Sequence, residues 1–345
     1  MEKNLKGKLY NDDEKKNPNS KNSKFKLVKH LRIRNESIEK ALILQDGNLL
    51  VYYNSNIIIY DKNDFSIKYK YEIKKGRNEY ICKIVQLTNG KVVCCLTWPP
   101  NSWGRRIIIL DFSNNKIEQN QELKPFFHRK FINLLGSLTN WDLVLSEVGF
   151  CEFFEIKNKK YVLKEKIEFK DNCFVLHFFE LEKDKILFIG CYDSIDNFGE
   201  DYYSLKDTIL IYDISNNKKE FLFKMKPIKK FSFNHVKPIL LNNKCLVFIK
   251  SSEPLGLILL DIQNMEFVTI ICSKSQNIIT SITKISENLF LVSGYNGYVT
   301  LYNFENNEIY EIATEKLSKK IFELYKFNHN KFFFSDEIIK IYEIN

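Results

Sequence analysis

The sequence predicts an all-β ring of seven similar sheets, and three observations carry that prediction. The first is an apolar run closed by a polar residue, Ile57-Ile58-Ile59-Tyr60-Asp61, which returns as Ile107 to Asp111, Ile209 to Asp213 and Leu257 to Asp261. Looser copies end at Glu155, Asn303 and Glu343, so successive copies are 50, 44, 58, 48, 42 and 40 residues apart. The second is a tight-turn signal ahead of each run, clearest at Asp46-Gly47 and Asn89-Gly90, where the positive φ of a hairpin is easily reached. The third is that turns and runs stay in phase through all seven copies. Strand-rich repeats of this period build a β-propeller, in which each repeat is one four-stranded blade.

Taken in order, residues 1–24 are Lys, Asn, Asp and Ser with almost nothing to bury, and are expected to be a disordered basic tail. Phe25 to Leu31 then alternates as a half-buried strand does, yet precedes the first repeat and has no partner in it. The blades are expected at about 36–73, 79–123, 130–168, 172–225, 233–272, 278–314 and 320–345. The last is one strand short, because the chain stops at Asn345 just after a third strand. The strand at about 25–31 is its natural fourth, closing the ring and removing an exposed edge.

This alternation, with Asp ending the third strand, resembles the WD-repeat family over about residues 25–345. The resemblance is one of period and pattern. The family's Gly-His pair is missing, and Tyr-Asp, Leu-Asp or Tyr-Asn stands where Trp-Asp would. The one literal Trp-Asp, Trp141-Asp142, falls in a hairpin turn, out of phase. The resemblance implies a protein-interaction scaffold that presents a propeller face to protein partners.

Composition bounds the function classes. Nine Lys against four acids give the first 30 residues +5 of the total +9, so the body is close to neutral. A basic tail on such a body gives no strong sign of nucleic acid, and membrane association is not expected. No segment reaches 18 apolar residues and the N-terminus has no apolar signal core. The eight Cys lack any C-x-x-C spacing and mostly sit in apolar runs, as free thiols do in a reducing compartment. An intracellular protein, cytoplasmic or nuclear and monomeric on its own, is expected.

Two connections between second and third strands are long and rich in residue types enriched at interface hot spots. The second-blade loop holds Trp98, Trp103, Arg105 and Arg106; the fourth-blade loop holds Asp193, Asp196, Tyr202 and Tyr203. These eight are the candidate partner-binding residues. Competing chemistries fit less well. Asp193, Asp196, Glu200 and Asp201 lack the alternating ligands and sixth-position Gly of an EF-hand-like calcium loop. The five His contain no zinc-ligand pair. Cys173 and His177 lie four apart on one strand and so share a face, but nothing supplies the orienting third group of a nucleophilic site. Gly104-Arg105-Arg106 has neither the order nor the place of the Phe-Arg-Arg-Gly motif of phosphoinositide-binding propellers. The first strands offer Glu39, His177, Glu180, His235 and Glu323 without repeated placement, which argues against a metal in the channel. No catalytic residue, cofactor or metal is therefore expected. The alternatives to a scaffold are a propeller enzyme with a loop-built active site and a phosphoinositide- or membrane-binding propeller.

Overall fold

The computed structural model describes residues 23–31, 40–73, 79–97, 106–112, 118–123, 133–138, 141–147, 149–157, 160–169, 173–182, 185–192, 206–213, 236–250, 256–264, 266–271, 278–335 and 338–345. They form seven antiparallel sheets in sequence order, six of four strands and one, the fourth blade, of three. The first blade comprises Lys40–Ile43, Leu49–Tyr53, Asn56–Tyr60 and Ile67–Glu72. The sixth comprises Ile279–Lys284, Leu289–Gly294, Tyr298–Glu305 and Glu308–Lys316.

The seventh blade takes Leu324–Lys326, Lys331–Ser335 and Ile339–Ile344 from the C-terminus and Phe25–Leu31 from the N-terminus. Phe25 pairs with Ile344 and Leu31 with Ile339. The Phe25 ring meets Phe332 edge-on at 5.4 Å, and the Asn345 amide donates to the Lys24 carbonyl at 2.9 Å. The expected closing strand does close the ring.

The recurring apolar run is explained by where the third strands lie. Each blade is covered on both faces by its neighbours, so its middle strands are mostly apolar on both faces rather than at alternate positions. The period of two survives as a choice of neighbour. Ile57 and Ile59 pack with the second blade, whereas Ile58 and Tyr60 pack with the seventh. Ile108 and Leu110 face the first blade; Ile107 and Ile109 face the third. Seven buried clusters result, one at each junction between consecutive blades around the ring. Each fully buried Ile or Leu contributes about 1.5–3 kcal/mol.

In the first and fifth blades the polar residue that closes the run caps the strand as it leaves the core. Asp61 accepts from the Asn63 amide at 2.8 Å, and Asp261 accepts from the Gln263 amide at 2.8 Å. Both are side-chain-stabilised turns of the kind Asp favours. Asp111 meets Lys91 at 3.7 Å, and Glu343 meets Lys331 at 3.8 Å.

Two local readings change. The register of the fourth blade slips between Val175 and His177, so the simple alternation that would place residues 173 and 177 on one face is interrupted. Trp141 opens the second strand of its blade rather than sitting in the turn, and Asp142 accepts the Ile156 amide at 2.6 Å. Asn48 does the same to the Lys62 amide at 3.0 Å, also fourteen residues on. Asp142 is thus a brace between the second and third strands.

Candidate protein-interaction surface

In a four-stranded antiparallel meander, the turn between second and third strands lies at the same end as the link to the next blade. All such turns and links therefore share one face of the ring. Arg106 begins the third strand of its blade, paired with Leu96, so the second and third strands of that blade meet at this face. In the fourth blade Tyr192 pairs with Lys206, where Lys185–Tyr192 ends and Lys206–Asp213 begins, at the same face. Trp98, Trp103, Arg105, Asp193, Asp196, Tyr202 and Tyr203 lie outside the described residues, as does the side chain of Arg106.

The same face carries a feature that residue-type arguments missed. At the junction of the sixth and seventh blades, Phe322 is 58% exposed, Ile278 57% and Tyr295 38%. The Tyr295 and Phe322 rings meet edge-to-face at 5.7 Å, and the Tyr295 amide donates to the Ile278 carbonyl at 2.8 Å. Lys320 holds its ammonium 5.1 Å from the centre of the Tyr295 ring. A hydrogen bond between the two side chains raises the Lys320 pKa. Lys319 beside it is exposed.

The exposure of Phe322 is imposed by its neighbours. Ile321 and Leu324 are both buried in the junction between the two blades. Thr280 donates its hydroxyl to the Ile321 carbonyl at 2.8 Å, and Thr283 donates to the Leu324 carbonyl at 2.7 Å. With the backbone clamped on both sides of it, Phe322 faces outward.

Gly297 sets the other half of the patch. Its carbonyl accepts the amides of Leu317 at 3.0 Å and Ser318 at 3.3 Å, so the 295–297 turn is stitched to the segment that leads to Lys320 and Phe322. Its φ is +85°, and a Cβ there would stand 1.9 Å from the Ser318 carbonyl oxygen. Only glycine permits this approach. A sequence signal existed in Asn296-Gly297, but it marks a turn and says nothing about what lies upon the turn.

At the junction of the seventh and first blades, Glu323 accepts the Tyr325 hydroxyl at 2.7 Å, and that hydroxyl accepts the Ala41 amide at 3.3 Å. Burial, reinforced by Glu323, holds the Tyr325 phenol well above its ordinary range. Among the described residues, no group of three or more His, Cys, Asp or Glu could hold a metal ion. Glu39 and His235 lie outside the described residues. The described part of this face presents a fixed aromatic corner with the Lys320 ammonium against it and exposed Lys319 next in sequence.

No family model and no curated protein matches the sequence. Solved structures do. The structure of U3-55K overlays with a TM-score of 0.64 at 11% identity, covering 91% of this chain and 98% of that one. A chain of the mitotic checkpoint complex overlays at 0.58, also at 11% identity, covering 99% of both. The fold is that of a WD-repeat-like propeller. At this identity the likeness is one of fold alone, and 1293 solved chains share it, so it selects no partner. The propeller's function has to be argued from its surface.

Proposed function

We propose that this propeller is a non-catalytic protein-interaction scaffold, and that partners dock on the face bearing the linkers and the second-to-third-strand loops. The observation that carries the reading is the clamped, exposed aromatic corner of Tyr295 and Phe322 on that face. Anchors of this kind bind well because little side-chain freedom remains to be lost on association. Trp98, Trp103, Arg105, Arg106, Asp193, Asp196, Tyr202 and Tyr203 extend the docking face around the ring in this reading. One of the overlaid chains is part of a multi-protein complex, which supports protein partners as the class.

The chain is read as one propeller over 25–345 behind the tail 1–24, monomeric on its own and resident in the cytoplasm or nucleus. The free thiols of Cys82, Cys94, Cys95, Cys151 and Cys245 suit a reducing compartment. No helix among the described residues is long and apolar enough to cross a membrane.

The test is quantitative affinity capture from native lysate with three baits: the full chain, Tyr295→Ala/Phe322→Ala, and Trp98→Ala/Trp103→Ala/Arg105→Ala/Arg106→Ala. Proteins lost from both variants, with unchanged circular dichroism, are expected. An identical partner list for all three would remove this face from consideration.

A further inference from the structure

We infer that Ile278, Tyr295, Lys319, Lys320 and Phe322 form a receptor site for a short acidic peptide segment that carries one large apolar side chain. This rests on the scaffold reading above and assigns the chemistry of the partner.

The apolar half of the argument is geometric. An exposed edge-to-face pair presents two ring surfaces at a steep angle, here 73°. The corner accepts a third ring or a branched aliphatic group against both surfaces at once. Ile278 is joined to Tyr295 through the backbone and is itself an exposed apolar residue. Phe322 cannot fold inward to cover the corner, because buried Ile321 and Leu324 fix the chain on either side.

The acidic half follows from how the local charges are engaged. The segment 315–323 holds Glu315, Lys316, Lys319, Lys320 and Glu323. Glu315 is turned to the closing strand, where it accepts the Ser23 hydroxyl and the Lys24 amide, each at 2.6 Å. Glu323 is turned to Tyr325. Neither carboxylate is directed at the aromatic corner, whereas Lys320 lies against it. The Lys320 ammonium has three donors, and the Tyr295 hydroxyl uses one. The exposed ammonium can also donate to a carboxylate, and Lys319, exposed as well, is the adjacent residue.

A peptide fits this chemistry better than its rivals. Nucleic acid needs a basic stripe that follows many phosphates, and two adjacent lysines supply a spot. A membrane surface needs clustered positive charge of about four to eight residues. One apolar anchor beside two cations matches a few residues of extended chain.

The experiment is a selection of displayed random peptides on the immobilised full chain, counter-selected against Phe322→Ala. Enriched sequences are expected to combine Asp or Glu with one Phe, Trp, Leu or Ile. The consensus peptide, fluorescently labelled, is then measured by anisotropy. Lys319→Glu/Lys320→Glu is expected to weaken it about tenfold or more, with a smaller difference between the two proteins at about 0.3 M salt. Because both side chains are exposed, that variant should keep the parent melting temperature. Enrichment of basic or uncharged apolar peptides, still dependent on Phe322, would overturn the acidic assignment and leave the scaffold reading standing. No Phe322-dependent enrichment, together with an unchanged capture list for Phe322→Ala, would overturn both. Phe322-dependent binding of a labelled single-stranded RNA homopolymer, with no peptide selected, would replace the peptide by nucleic acid.

Discussion

Single residues decide how this surface is shaped, and Gly297 is the sharpest case. Gly297→Ala meets a positive φ, costing about 1–3 kcal/mol in itself, and a clash with the Ser318 carbonyl in addition. The variant should unfold at lower urea and lose partner binding together, because the turn and the 317–320 segment must part. Phe322→Ala should separate the two properties. The residue is mostly exposed, so the unfolding free energy from urea melts should change by less than about 0.5 kcal/mol while binding is lost. Tyr60 supplies a pH test. Burial, then Tyr53, pushes its phenol up to about 12 from the ordinary 10.0. The folded state therefore holds a proton that the unfolded chain gives up near pH 10. Its stability contribution is complete below pH 10 and is lost as pH rises through about 12. Urea melts at pH 9 and pH 11 should show a smaller alkaline loss in Tyr60→Phe than in the parent.

At the scale of elements, the fourth strands share a device that no residue pattern announced. In every blade with a described fourth strand, the pairing with the third strand slips by one residue at the equivalent place. The slips fall at Ile59/Tyr60, Ile109/Leu110, Phe153/Phe154, Leu259/Leu260 and Leu301/Tyr302, and in the closing strand between Leu27 and Lys29. A bulge bends its strand and increases twist, which suits the outermost strand of a strongly twisted blade. It also accounts for two exposed apolar side chains, since Val28 and Ile312 are the extra residues. Ile312→Lys should change stability by less than about 0.5 kcal/mol, whereas Ile58→Lys, in the core, should prevent folding. Equilibrium urea unfolding of the two variants checks this.

Sequence legibility followed burial. The third strands could be read because cover on both faces makes them mostly apolar, and the turns because Gly and Asn sit where φ is positive at Gly47, Gly90 and Asn243. The bulges could not be read, because an extra residue on an outer strand meets no compositional constraint. Phe322 was hidden for a related reason. Beside Ile321 it resembles core, and only the burial of Ile321 and Leu324 around it reveals that it points out.

For the whole molecule, the ring is only as good as its seam. Phe25 is buried among residues of the sixth and seventh blades and is the only aromatic residue of the closing strand. Phe25→Ala should cost about 3–5 kcal/mol, while removal of residues 1–22 is expected to leave the melting temperature unchanged. Differential scanning calorimetry distinguishes the two. An equal loss from both would mean that the tail contributes to the seam.

That seam also fixes how the protein should respond to mechanical load. Lys24 and Asn345 stand together at one end of an antiparallel ladder. Tension between the chain ends would therefore fall on one rung at a time, from Phe25 and Ile344 toward Leu31 and Ile339, and not on all rungs together. Pulled by its termini in an optical trap, the ring should open in an early low-force step that detaches 25–31, before any blade is lost. Anchored instead through two inner blades, the same fold should resist until several rungs fail at once.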